Sequence, residues 1–194
     1  LFAAINRPDL KIIALHRPFL VALQNITNQL FFIDADPAQR MNAVRQVSAH
    51  LRKGGSVLTF PAGEIEPDLE VYDGALDSLN NWIDSAGVFM RFSRDTKIVP
   101  VFVSGVIWEK TANHWLTRLK RTRIEREKLA AALQLLMMIT RNARPTVVHV
   151  RFAKPITLEE IGSTDSNAIH QVVIQCMKDL ITTPIKDNGI SALL

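Results

Sequence analysis

The sequence predicts an α/β fold with a mixed, largely parallel central sheet flanked by helices. Two observations carry that expectation. Short runs rich in branched and aromatic residues, such as Val57 to Phe60 and Ile98 to Val103, alternate with longer stretches that read as helix. Strands separated by helices pack as a layered sheet with crossover connections. A third observation sets the scale: 194 residues, 47% hydrophobic and 22% charged, are enough to bury the core of one domain and argue against disorder.

Taken in order, Leu1 to Asn6 reads as the end of a helix, followed by an Arg-Pro-Asp turn and a strand over Lys11 to Ala14. Leu30 to Ile33 is the second strand. Pro37 to Arg52 is a helix: Asp36 before Pro37 is a good start and Gly54-Gly55 a good stop. Its Met41, Val44, Val47, Ala49 and Leu51 only partly keep helical spacing. Val57 to Phe60 is the third strand, Ala75 to Ser85 a helix, and Ile98 to Val103 the fourth strand. Lys110 to Arg141 is mostly helical, Thr146 to Phe152 gives a late strand, and Asn167 to Ile181 a last helix. No internal repeat or low-complexity tract divides the chain, so residues 1–194 read as a single domain.

Composition removes several function classes. No apolar run reaches the roughly 18 residues of a spanning helix; Lys97 to Trp108 and Leu129 to Ile139 come nearest. Cys176 is the sole cysteine, which excludes an internal disulfide and allows a reducing compartment. The chain opens at Leu1 without the layout of a signal peptide and reads as the remainder of a longer protein. The net charge is +4, and Arg118 to Lys128 alone holds six basic residues against two acidic ones. Such a run suits a solvated helix face or an anionic membrane surface, and Trp108, Trp115, Leu116 and Leu119 beside it suit the headgroup boundary. Nucleic acid is not expected, because aromatics make up only 7% of residues and no module signature is present.

The most informative stretch is Gly55 to Pro67. An apolar run ends in Phe60-Pro61-Ala62-Gly63, and Glu64 and Glu66 follow at the strand's C-terminal mouth, where ligands bind in open α/β sheets. Gly63 lets the backbone turn or approach a ligand closely. A strand-ending turn with solvated acids would look the same.

This stretch resembles the Phe-Pro-Glu-Gly-Thr-Arg block of the glycerolipid acyltransferase superfamily. Phe31-Phe32-Ile33-Asp34 resembles that family's Gly-x-x-Phe-Ile-Asp-Arg block, and Ile98-Val99-Pro100-Val101-Phe102-Val103 its Val-Pro-Val strand. The three blocks stand in the family's order over roughly Asn28 to Gly105. The resemblance implies a glycerolipid acyltransferase-like fold and an enzyme of phospholipid or glycerolipid biosynthesis. Such an enzyme moves a fatty acyl chain from acyl-CoA or acyl carrier protein to a lipid hydroxyl, with no metal and no cofactor beyond that co-substrate. It implies substrate-binding roles for Asp34, Phe60, Pro61, Gly63, Glu64 and Pro100, and a peripheral place on the cytoplasmic membrane face. The turn and Asp34 are expected to line one cleft with the N-terminal end.

The family's catalytic block, Asn-His-x-x-x-x-Asp, pairs a proton-accepting histidine with an orienting aspartate. Five residues beyond His16, His50, His114, His149 and His170 stand Val21, Gly55, Leu119, Lys154 and Gln175. No catalytic residue is therefore assigned in this chain; the dyad is expected upstream of Leu1, and the chain by itself is expected to be inactive. Ala35 and Ile65 replace the arginines expected to grip an acceptor phosphate, with Arg91, Arg94 and Lys97 as possible substitutes. Ala62 takes the usual glutamate position, and Glu64 stands where threonine is usual, placed to orient an acceptor hydroxyl or amine. Two other readings remain open. A pseudoenzyme would keep the fold as a lipid-surface binding module. Phe31-Phe32-Ile33-Asp34-Ala35-Asp36 also resembles the Asp-x-Asp opening of haloacid-dehalogenase-type phosphatases, although Lys97 follows Asp73 and Asp77 where the family's order requires the reverse.

Overall fold

The structure, a computed structural model, describes residues 2–16, 18–22, 24–33, 36–141 and 147–184. Three parallel strands, β1 (Lys11–Leu15), β2 (Leu30–Ile33) and β3 (Val57–Leu58), form a sheet in the order β2-β1-β3. Ile13 sits opposite Phe31, and Lys11 opposite Val57. Two further strands, β4 (Val101–Ser104) and β5 (His149–Phe152), pair antiparallel as a separate sheet, with Val103 opposite Val150. The mixed α/β class holds, but among the described residues two small sheets stand where one largely parallel sheet is expected.

Among the described residues, four helices have eight or more residues: α1 (Pro37–Arg52), α2 (Ser85–Phe92), α3 (Arg123–Arg141) and α4 (Ser166–Thr182). The Asp36 carboxylate accepts from the Ala38 N–H at the start of α1, and Asp165 does the same for Ala168 in α4. α1 buries Ala43, Val47 and Ser48, and Val47 packs with Phe31 and Phe89 beneath the parallel sheet. Met41, on its outer face, is exposed. A second core unites Ala75, Leu79, Phe102, Met177 and Ile181 between β4 and α4.

The differences from the expected elements have local causes. Pro100 has no N–H to give a ladder, so the fourth strand is reduced to β4 and an isolated bridge from Ile98 to Ile156. The helix expected over Ala75 to Ser85 ends early as α-helix Ala75–Ser78 and 3-10 turn Leu79–Asn81, because Trp82 turns extended and Asp84 caps a new helix through the Gly87 N–H. The stretch from Lys110 is cut into Glu109–Ala112, Trp115–Arg118 and α3. His114 accepts from the Leu116 N–H at one cut. At the other, Thr122 and Glu125 exchange backbone-to-side-chain bonds as a capping box. The late strand begins at His149 rather than Thr146, which lies outside the described residues. The short helices Pro18–Ala22, Gln24–Thr27 and Leu158–Ile161 have no counterpart in the sequence reading.

At the start of the sheet, the Asp9 carboxylate takes a side-chain bond from Arg7 and a backbone bond from Ser56 at 2.8 Å. The Arg7 bond above all holds its pKa down at about 2. On α3, burial pushes the Glu127 carboxyl above its ordinary range, against the opposing pull of Arg123. The two groups act with opposite sign. Asp9 contributes stability that is present above its unfolded pKa of about 3.9 and lost as pH falls toward 2. Glu127 contributes stability that is present below its unfolded pKa of about 4.3 and lost as pH rises through its raised folded value. Urea midpoints followed against pH should therefore show a weaker acid loss in Asp9→Asn and a weaker loss with rising pH in Glu127→Gln.

Candidate functional site

β3 stops after Leu58, and the chain turns at once: the Gly63 N–H donates to the Phe60 carbonyl at 3.0 Å. Gly63 has φ +64 and no protein atom within 4 Å of where a Cβ would lie, so it supplies the left-handed turn without a close approach to the rest of the chain. From there the sequence places an acid at every second position, Glu64, Glu66, Asp68 and Glu70. In the fold each of these carboxylates is an acceptor joining this segment to a different partner.

Glu64 is exposed and accepts from the Asn81 side chain at 3.1 Å. Glu66 points inward and receives the Trp82 indole N–H at 2.6 Å and the Ser78 hydroxyl at 2.9 Å. Together with an Ile83 N–H bond to the Pro61 carbonyl, these contacts lay the turn across residues 78–83. Asp68 is buried, and both its oxygens are saturated by backbone donors. Oδ1 accepts from Gly105 at 3.0 Å and Glu70 at 3.2 Å; Oδ2 accepts from Val106 at 2.7 Å and Ile107 at 2.9 Å. Glu70 accepts from Ser104 Oγ at 2.9 Å, with His149 Nε2 at 4.0 Å. The acidic segment is thereby clamped onto the exit of β4.

Gly105 makes that clamp possible. Its φ is +74, and an added Cβ would stand 2.7 Å from the Val147 carbonyl oxygen and 3.0 Å from Glu70 Oε1. Gly54 has φ +81 but open space around it. A left-handed side-chain residue costs about 1–2 kcal/mol in either place. Gly105→Ala should lose more than Gly54→Ala by the cost of the collision, and the difference is read directly from the two thermal midpoints.

Between these segments lies a cavity of about 310 Å³, at the small end of the roughly 300–1,000 Å³ of ligand pockets. Phe60, Ile65 and Trp82 close one side, Val101 and Val103 of β4 another, and Met177 and Ile181 of α4 a third. Glu66, Asp68 and Glu127 also border it; Trp82 and Ser78 both donate to Glu66 Oε1, backbone N–H groups hold both Asp68 oxygens, and Arg123 holds Glu127. Lys128 and Ala131 of α3, both exposed, complete its edge. The chamber is mostly apolar, with hydrogen-bonded carboxylates at its edge.

The expected site residues are distributed unevenly around it. Phe60 borders the cavity and is 56% exposed. Pro61, Gly63 and Glu64 shape the turn without lining the cavity; Pro100 is buried and does not line it either, its carbonyl accepting from the Ala153 N–H. Asp34 lies outside the described residues. None of the cavity's described lining residues precedes Phe60, so the cleft formed by the turn is shared with β4 and α4 rather than with the N-terminal end. Arg91, Arg94 and Lys97 are exposed and do not border it. Trp82, Ser78 and Asp68 were not expected at the site. The alternation of acids after Pro61 is the sequence signal for Asp68; a lone tryptophan ending a short helix gives none.

His50 and His16 have local partners. His50 Nε2 donates to the Asp9 carbonyl at 2.9 Å, and its ring fills the space a Cβ on Gly55 would need. His16 meets the Phe32 ring edge-on.

Compared with known proteins, the chain matches no family model, no curated protein and no solved structure. Among the described residues, no helix is long and apolar enough to cross a membrane, and no cluster of His, Cys, Asp or Glu is arranged to hold a metal ion.

Proposed function

We propose that this chain is the acyl-binding body of a glycerolipid-type acyltransferase, which moves a fatty acyl chain from acyl-CoA or acyl carrier protein to a lipid hydroxyl at a membrane surface. One observation carries the reading: Phe60 of the Phe-Pro-x-Gly turn and Val101 and Val103 of the Val-Pro-Val strand border the same apolar cavity. Two of the three blocks that suggest lipid chemistry in the sequence thus meet around a chamber suited to hydrocarbon. Burial in such a chamber favours each methylene by about 0.8 kcal/mol. The carboxylates at its edge disfavour a second carboxylate beside them, so an uncharged thioester suits the cavity better than a free fatty acid.

Acyl transfer also needs a base to take the acceptor's proton. None of the five histidines has an aspartate five residues on, so the 194 residues by themselves bind an acyl chain without turning it over. Transfer requires a His/Asp pair from outside them. Of the two acids that follow the turn, Glu66, held by Trp82 and Ser78, borders the cavity, while Glu64 is turned to Asn81. The same cavity suits a non-catalytic lipid-binding module, and an assay of the native gene product for acyl transfer to a lipid hydroxyl separates the two. Binding itself is tested by titrating decanoyl-pantetheine while following tryptophan emission, since Trp82 borders the cavity. A saturable change is expected; an unchanged spectrum with no heat of binding would remove the proposal.

A further inference from the structure

We infer that the turn from Trp115 to Arg121 is a docking surface for an anionic phospholipid bilayer. The inference deepens the membrane part of the function proposed above and rests on that reading only for its choice of lipid as partner. Trp115 and Leu119 are four residues apart on the helix Trp115–Arg118 and its right-handed C-cap, so they project from one face, at 65% and 69% exposure. Thr117 holds the opposite face: it is fully buried and donates its hydroxyl to the Ala112 carbonyl. The exposed pair is thus presented by a fixed element. Arg118, Lys120 and Arg121 flank it, all exposed. Arg126 joins them by donating its Nε to the Lys120 carbonyl at 2.9 Å.

Not all of the basic run belongs to this surface. Arg123 is committed to Glu127 at 2.9 Å, and Trp108 is half-buried with its backbone N–H on Gln134. An indole and a leucine ringed by cations match a layer of anionic headgroups above acyl chains, where Trp settles at the boundary and Lys and Arg find phosphate. Nucleic acid would use the charges but leave Leu119 without a partner.

The test is cosedimentation of the chain with vesicles of phosphatidylcholine alone and of phosphatidylcholine mixed with phosphatidylglycerol. The parent should bind the mixed vesicles and release as salt rises. Lys120→Gln/Arg121→Gln should weaken that binding by about tenfold or more. Trp115→Ser/Leu119→Ser should weaken it too and abolish the blue shift of tryptophan emission on binding. Circular dichroism confirms that both variants are folded. Equal vesicle binding by parent and both variants, or no binding by the parent, would overturn the inference. Tighter binding to an RNA oligonucleotide than to the mixed vesicles, lost in the charge variant alone, would overturn it in favour of nucleic acid. Decanoyl-pantetheine binding, measured without vesicles in the same variants, should be unchanged, so failure of the surface and failure of the cavity are read separately.

Discussion

Asp68→Ala should destabilise the protein by about 3–5 kcal/mol, because it strips the acceptor from four backbone N–H groups at once: a buried donor left unpaired, as at Gly105, costs about 1–3 kcal/mol, and the three part-buried donors cost less as water recovers some of it. Against the roughly 5–15 kcal/mol that holds a domain together, such a loss brings the chain near unfolding. Asp68→Asn should offer little rescue. Each carboxylate oxygen already accepts two N–H groups, so an amide must point its NH₂ at one of those pairs, donor against donor. Urea unfolding of the two variants beside the parent measures this. A loss below about 1 kcal/mol for Asp68→Ala would show that water replaces the carboxylate and that the clamp is not a structural centre.

The second large effect concerns the cavity. Ala131 lies on α3 at its edge and is exposed, so Ala131→Trp places an indole at the mouth without disturbing either core. If the new ring displaces about three methylenes of a bound chain, decanoyl-pantetheine should bind on the order of 50-fold more weakly, at about 0.8 kcal/mol for each methylene. Ala132 is the matched control: it is also exposed on α3 but does not border the cavity. Ala132→Trp should bind like the parent. Equal weakening by both substitutions would assign the effect to the helix surface and not to the cavity.

Much of the scaffold is legible in the sequence because the signals are local. Pro37 to Arg52 begins and ends where Asp36, Pro37 and the following Gly54-Gly55 place it, and Leu30 to Ile33 is a strand with those bounds. Where tertiary contacts decide, the sequence is a poorer guide. Val57 to Phe60 is apolar but for Thr59, yet only Val57 and Leu58 find partners on β1, and Phe60 is released to the cavity's rim. Sheet assignment depends on which strand meets which, so nothing in Ile98 to Val103 announces an antiparallel partner some fifty residues later. The turn itself is legible because Pro61 and Gly63 punctuate the run. Which acid faces inward is not, since Glu64 and Glu66 differ only in whether Asn81 or Trp82 receives them.

The claim that the cavity holds an acyl chain is tested most directly by photocrosslinking. A decanoyl-pantetheine carrying a diazirine near its methyl end is irradiated with the protein, and the labelled residues are mapped by mass spectrometry. The adducts should fall on Val101, Val103, Met177 or Ile181, the walls beyond the Phe60 rim, and should disappear when excess unlabelled decanoyl-pantetheine competes. Adducts confined to the exposed end of α3, or labelling that survives the competitor, would contradict it.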